Sequence, residues 1–335
     1  MPSKDTKIVV LGNGGWGTTL ALLLAQNGYR PSLWGASSEY VEEMKKRREN
    51  VKFLPGFKIP ASIELISDAP KAVADAEWIV LAAPSQYMRP VVRKLRGLNL
   101  KRKSFVIVSK GIETGSLKTM SEVVREELGS VSVAVLSGPT IARDVAMKYP
   151  SAASVASKSA TLAEKTREAF MTDTFVLFTT SDVIGVELGG SVKNVLAIAS
   201  GIVQGLGYGS NTRAVLFARG VAEMARLGQT MGARRETFMG LSGLGDLATT
   251  CLSPHSRNRS LGEEIGKGKA LKKILGETEM VVEGVDTALA TYRLAKKLKV
   301  KMPIAEAVHD VLFRRRDPKV VVQALMCSDQ RNERE

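Results

Sequence analysis

Through the first half of the chain, apolar residues gather in short runs bounded by turn formers. Lys7–Leu11, Pro31–Trp34, Trp78–Ala83, Ser104–Ser109 and Val131–Leu136 read as strands, with Ser154–Ala156 and Phe175–Thr179 as the last of this half. Between them the apolar residues return with helical spacing. Gly15–Asn27 is closed by Gly28, and a helix running to about Glu49 can be capped by Ser37 or Ser38. Arg89–Arg96 and Lys118–Leu128 follow the same spacing. Strand alternating with helix predicts a parallel sheet covered on both faces. Beyond Asp182 the strand signals stop. Val183–Leu206, Thr212–Gly228, Arg235–Met239, Ser260–Ile265, Leu271–Leu275, Val285–Leu298 and Ile304–Phe313 all read as helices. The expectation is an α/β N-terminal domain, 1–182, followed by an all-α C-terminal domain, 183–335, joined at a helix start.

One motif gives the α/β half a purpose. Gly12-Asn13-Gly14-Gly15-Trp16-Gly17 spells G-x-G-x-x-G, and it follows a strand and opens a helix. In a Rossmann-type domain Gly12 allows the tight turn, Gly14 admits a pyrophosphate and Gly17 lets the helix pack close. The helix N-terminus then offers free N–H groups to the phosphates. Ala82-Ala83-Pro84-Ser85 ends a neighbouring strand and is placed to line the same crevice. An ordinary proline turn is the plainer reading. The acidic residue that would bind a ribose 2′-hydroxyl after the second strand is missing, since the segment runs Trp34-Gly35-Ala36-Ser37-Ser38. That leans away from strict NAD use without establishing NADP.

The net charge of +14 suits anionic ligands and also raises nucleic acid or a membrane surface. The basic residues are scattered, however, and the aromatics, only 5% of the chain, do not interleave with them, which argues against a platform for single strands. With 44% hydrophobic residues, large cores are expected, and only Met1–Thr6 and Asp329–Glu335 read as loose. Cys251 and Cys327 are far apart and show no metal-ligand spacing, so no metal site and no disulfide framework are expected. The first apolar run reads as a strand rather than a leader, and a cytoplasmic setting fits both observations. Val183–Leu206 is long and apolar, but Glu187, Lys193 and Asn194 make it a core helix rather than a membrane span.

Reduction of a ketone by a nicotinamide needs an acid for the forming alkoxide, a group to orient the carbonyl and a positive site for any anionic handle. His309 sits in an amphipathic helix and reads as structural, and His255 lies beside a basic motif. Lysine is the better candidate acid. Lys110 follows a strand at the carboxyl edge of the sheet. Lys193 lies one turn after Gly189 and Gly190, in a helix where glycine makes sense only if a backbone or ligand must come close. The alternative is a lysine that snorkels to solvent. Ser256-Arg257-Asn258-Arg259, soon after Gly245-Asp246-Leu247, suits a phosphate, or else forms a helix-capping loop with a solvated basic face.

Together, Gly12–Gly17, Ser109-Lys110-Gly111, Leu136–Thr140, Gly185–Asn194, Gly240–Leu247, Ser256–Arg259, Val281–Gly284 and Met302-Pro303-Ile304 resemble the bacterial-type NAD(P)-dependent glycerol-3-phosphate dehydrogenases. The likeness runs in one order over about Lys7 to Phe313. It implies interconversion of dihydroxyacetone phosphate and glycerol 3-phosphate for phospholipid synthesis, with NAD or NADP, and a helical domain like that of 6-phosphogluconate dehydrogenase. Lys193 then matches the catalytic lysine, and Lys110 and Asp246 match substrate-contacting positions that serve the same chemistry. Gly138, Thr140, Asn194, Thr250, Ser256, Arg257 and Asn258 match the substrate side. Gly15, Trp16, Lys110, Ala142, Arg257, Val281 and Glu283 match cofactor positions. Ala36 stands where many relatives carry a basic or histidine residue, which leaves the NADP preference open. A homodimer is compatible with the family. The competing readings are a 3-hydroxyacid or 6-phosphogluconate-type dehydrogenase and, from another class, a nucleic-acid-binding protein with a dinucleotide-sensing domain.

Overall fold

The computed structural model describes residues 3–278 and 281–327. The tail expected to be loose, Asp329–Glu335, and Met1 and Pro2 at the other end lie outside the described residues. The rest of the expected loose start is partly tied down. Lys4 Nζ donates to the Asn27 carbonyl at 2.6 Å, and Thr6 is buried.

The strands are β1 (Ile8–Leu11), β2 (Ser32–Trp34), β3 (Glu49–Asn50), β4 (Leu54–Lys58), β5 (Glu64–Ile66), β6 (Trp78–Leu81), β7 (Ser104–Ile107), β8 (Ser132–Ser137), β9 (Ser151–Ser157) and β10 (Phe175–Thr180). Eight of them form one sheet in the order β10-β9-β8-β7-β6-β1-β2-β5, while β3 and β4 make a separate hairpin. The wholly parallel sheet expected from the sequence needs one correction, because β8 and β9 run antiparallel. The link between them, residues 138–150, holds only a five-residue helix and returns the chain beside β8 in the opposite sense. β9 and β10 are parallel again, with a helix between them.

The helices of this half are α1 (Gly15–Gln26), α2 (Ser38–Arg47), α3 (Ala69–Ala74), α4 (Met88–Arg93), α5 (Met120–Leu128), α6 (Ala142–Ala146) and α7 (Ala160–Phe170). The alternation of side chains along β1 divides the cores. Ile8 and Val10 pack with residues of α1, α2 and α7, and Val9 and Leu11 with residues of α3, α4 and α5. Ser37, not Ser38, caps α2 by accepting from the Tyr40 N–H.

After β10 come α8 (Val183–Gly205), α9 (Ser210–Thr230), α10 (Asp246–Leu252), α11 (Arg257–Gly266), α12 (Leu271–Gly276), α13 (Glu283–Leu298), α14 (Pro303–Arg314) and α15 (Pro318–Cys327). α8 is the axis of this half, and its apolar residues head the third core. It is long and apolar enough to cross a membrane, but 94% of its most apolar window is buried inside the protein. Asp182 caps it, accepting from the Gly185 N–H at 3.0 Å and from Arg234 N and Thr237 Oγ1 with its other oxygen. The buried Glu187 carboxylate, its pKa raised by desolvation, accepts from Ser121 N and Oγ at 2.7 Å each and so fastens α8 to α5.

Candidate active site

The sheet reverses its strand order between β1 and β6, so the crevice beyond their carboxyl ends is where a dinucleotide binds in such folds. Gly12 turns there with φ +131°, and a Cβ on it would meet the Ala82 carbonyl carbon at 2.6 Å. Gly17 packs closer still, since its Cβ would lie 1.9 Å from the Gly12 carbonyl oxygen. Around Gly14, by contrast, nothing stands within 4 Å of a would-be Cβ. That open space borders the first turn of α1, whose N–H groups have no intrahelical partners, and the combination fits a pyrophosphate. Trp16 lies edge-on to Phe175, and its Nε1 is buried with no partner among the described residues. Ala142 reaches the same turn, because its carbonyl accepts from Thr19 Oγ1 on α1. Ala36 is exposed just past β2.

No motif or spacing in the chain points to Asn50. This residue is fully buried, donates to the Asn13 carbonyl at 2.8 Å and to Thr18 Oγ1 at 2.7 Å, and accepts from the Tyr40 hydroxyl and Phe53 N–H. It pins the glycine turn to the β3–β4 hairpin. It lies in a run of charged residues with no periodicity, so nothing local marks it.

The chemistry gathers at Asp246. A wide π-type turn, Leu241–Gly245, leads into α10 and lies directly on α8, where a Cβ on Gly189 would sit 2.6 Å from the Ser242 carbonyl oxygen. The glycines of α8 therefore do admit a neighbouring backbone. This brings the Asp246 carboxylate, 1% exposed, between two lysines from different parts of the fold. Oδ2 accepts from Lys110 Nζ at 2.7 Å and Oδ1 from Lys193 Nζ at 2.7 Å. Lys110 spends its other two protons on the Gly138 carbonyl at 2.9 Å and Thr140 Oγ1 at 3.1 Å. Lys193 donates to Thr250 Oγ1 at 2.7 Å and keeps one N–H uncommitted among the described residues. The lysine does not snorkel to solvent, as its side chain is 8% exposed. Burial lowers Lys110 to about 8, against the attraction of Asp246 and helped by the Lys193 ammonium.

On the far side of Lys193, Asn258 Nδ2 donates to Asn194 Oδ1 at 2.9 Å, and Asn258 Oδ1 accepts from the Gly284 N–H at 3.0 Å. Ser256 caps α11 by accepting from Arg259 N, and its hydroxyl donates to no partner among the described residues. Arg257 is exposed and donates to the Val281 carbonyl. Glu283, at the start of α13, accepts from the Ser85 N–H at 3.3 Å, next to Pro84 in the loop after β6. This contact joins the helical half to the dinucleotide crevice. The two histidines stay apart from this cluster. His309 is stacked on Tyr292 at 3.7 Å beside Asp310, and His255 is exposed.

Comparison with known proteins covers both halves. Residues 7–163 match the family described as the NAD-dependent glycerol-3-phosphate dehydrogenase N-terminus and residues 182–323 its C-terminus. The chain is 47% identical over 323 residues to the glycerol-3-phosphate dehydrogenase [NAD(P)+] of Citrifermentans bemidjiense, covering 96% of each chain. It is 44% identical over 332 residues to that of Bacillus subtilis, covering 98% of this chain and 96% of the relative. The crystal structure of glycerol-3-phosphate dehydrogenase from Coxiella burnetii superposes with a TM-score of 0.94 at 37% identity, over 97% of this chain and 99% of that one. With near-full-length identity of this order, the chain belongs to the NAD-dependent glycerol-3-phosphate dehydrogenase family.

Proposed function

We propose that the chain reduces dihydroxyacetone phosphate to glycerol 3-phosphate, reversibly and with NAD or NADP, and that it supplies phospholipid synthesis from the cytoplasm as a homodimer. In this reading it divides at Asp182 into a dinucleotide domain, 1–182, and a catalytic domain, 183–335. The observation that carries the assignment is the Lys110–Asp246–Lys193 chain, with its single uncommitted N–H on Lys193.

A nicotinamide bound in the crevice supplies the hydride for C2 and receives it in the reverse direction. Gly12, Gly14, Gly15, Trp16 and Gly17 cradle its phosphates, and Pro84, Ala142, Val281 and Glu283 border it. Lys193 gives its free proton to the alkoxide oxygen formed at C2 and takes it back in oxidation. Asp246 aims that ammonium and holds its charge. Lys110, Gly138 and Thr140 form one wall of the substrate site, and Asn194 and Thr250 orient the reacting end. Arg257, Asn258 and Ser256 take the phosphate, the arginine as a planar fork and the others as neutral donors.

The test is an initial-rate assay with dihydroxyacetone phosphate, run with NADH and NADPH in parallel. Turnover with either is expected, and the ratio of kcat/KM assigns the cofactor that Ala36 leaves open. Lys193→Met should lose about 10²–10⁴-fold in kcat, the usual worth of a positioned acid. Turnover of 6-phosphogluconate or a 3-hydroxyacid in place of the triose would overturn the substrate. Wild-type turnover by folded Lys193→Met would remove that residue from the chemistry.

A further inference from the structure

We propose that β10 is the surface on which two copies of this chain join, edge to edge and antiparallel, into one continuous sheet. This gives the proposed homodimer its interface and does not depend on the catalytic roles.

β10 is the outermost strand at its end of the sheet. Ser151 N–H donates to the Thr174 carbonyl, so the backbone groups of Thr174 and of alternate residues after it face β9. Those of Phe175, Leu177 and Thr179 face outward. Phe175 is occupied by Thr172, which exchanges both hydrogen bonds with it. Leu177 and Thr179 therefore present their N–H and C=O groups at the open edge. Most proteins guard such an edge with lysine, proline, a bulge or brevity. β10 reads Phe-Val-Leu-Phe-Thr-Thr and has none of these. Val176 and Phe178 on it are 41% and 57% exposed. The opposite edge is guarded, since β5 is three residues long, carries Glu64 and has Pro60 and Asp68 close by.

The strand is complementary to itself in one register. A two-fold axis at Phe178 opposes Leu177 of one copy to Thr179 of the other, twice, and every backbone group used is a free one. Two narrow pairs then form, and Phe178 faces its own counterpart in the close, non-hydrogen-bonded position between them. Charge agrees with this pairing. Thr172–Ser181 contains no basic residue in a chain of net charge +14, so two copies meet where repulsion is least. Exposed Asp173 precedes the strand, and the Arg234 guanidinium rests on Ser181 Oγ at its other end. Antiparallel pairing brings each Asp173 toward the Arg234 of the second copy.

The experiment is light scattering on a sizing column at micromolar concentration, with circular dichroism and the initial-rate assay as folding controls. Wild type should run at twice the 36.1 kDa chain mass. Phe178→Lys, a solvent-facing change, should run as a monomer. So should Thr179→Pro, which removes an outward N–H that no strand among the described residues uses. Under mild oxidation F178C should crosslink to itself, whereas V176C, opposite Thr180, should not. A monomeric wild type overturns both the dimer and this surface. A dimer that survives Phe178→Lys and Thr179→Pro overturns the surface alone, and V176C crosslinking as readily as F178C overturns the register.

Discussion

Lys110 sits where burial disfavours its charge. Desolvation outweighs the pull of Asp246, and the Lys193 ammonium adds to the effect, leaving Lys110 at about 8 against an ordinary 10.5. It is charged at neutral pH and loses that charge just above it. As the pH climbs through about 8, one positive group therefore leaves the wall that faces the substrate, and KM for dihydroxyacetone phosphate should rise. A Lys110→Arg variant, whose guanidinium does not titrate there, should show a flat profile even if its rate is lower. The same shift has a consequence for stability. Between about 8 and 10.5 the unfolded chain holds a proton on Lys110 that the native state has released, so stability should increase with pH across that window. Below it the cost of the buried ammonium is fully present. Urea melts at pH 7, 9 and 10 on wild type and Lys110→Met would test this. If the two proteins have identical pH slopes, the lowered pKa is wrong.

Elements of this fold are placed by glycines that meet backbone. α8 and α11 cross so closely that a Cβ on Gly201 would lie 2.0 Å from the Arg259 carbonyl oxygen, and one on Gly262 2.1 Å from that of Ile198. One turn on, Gly205 and Gly266 repeat the contact. Because α11 also carries Arg257 and Asn258, the crossing fixes where the proposed phosphate site stands relative to Lys193. Gly262→Ala should thus cost about 3 kcal/mol, the upper end for overpacking, since backbone cannot step aside as a side chain can. KM for the phosphorylated substrate should rise with it. Gly276→Ala, with nothing within 4 Å, is the control and should leave both unchanged. This crossing was not legible in the sequence, because a glycine in an apolar helix announces a close approach but not its partner. The buried strands were legible, as continuous apolar runs such as Trp78–Leu81 can hardly be anything else. The direction of β9 was not, because apolar runs read alike in either sense and the link before it, residues 138–150, is long enough for both. α10 was missed as well. Its N-terminal approach, Gly240-Leu-Ser-Gly-Leu-Gly, reads as loop and folds as a helical turn only because α8 supplies a glycine beneath it. The lysines and Asp246 could be named from the chain, but that one carboxylate holds both ammoniums emerges only from the packing.

Taken as a whole, the molecule carries far more positive charge than its site requires, and much of it is locally answered. Lys45 and Arg47 pair with Glu42 and Glu43, and Arg314 and Arg316 pair with Asp310. The pairs on Glu42 and Glu43 are exposed and add little to stability. All these pairs leave the net charge of +14 unchanged, and at a distance an anion responds to that sum. Dihydroxyacetone phosphate and a nicotinamide dinucleotide are both anions, so the field should speed their capture more than it helps the bound complex. The signature is a division between kinetic constants. Raising the salt from about 0.02 to 0.3 M shortens the screening length from roughly 20 Å to below 10 Å. kcat/KM for dihydroxyacetone phosphate should then fall several-fold. kcat should hold nearly constant, because Lys193 and Asp246 act within a buried site that ions do not reach. A kcat that fell in step with kcat/KM would mean that salt disturbs the lysine–aspartate chain itself. A kcat/KM indifferent to salt would mean that the excess charge serves something other than the capture of these two ligands.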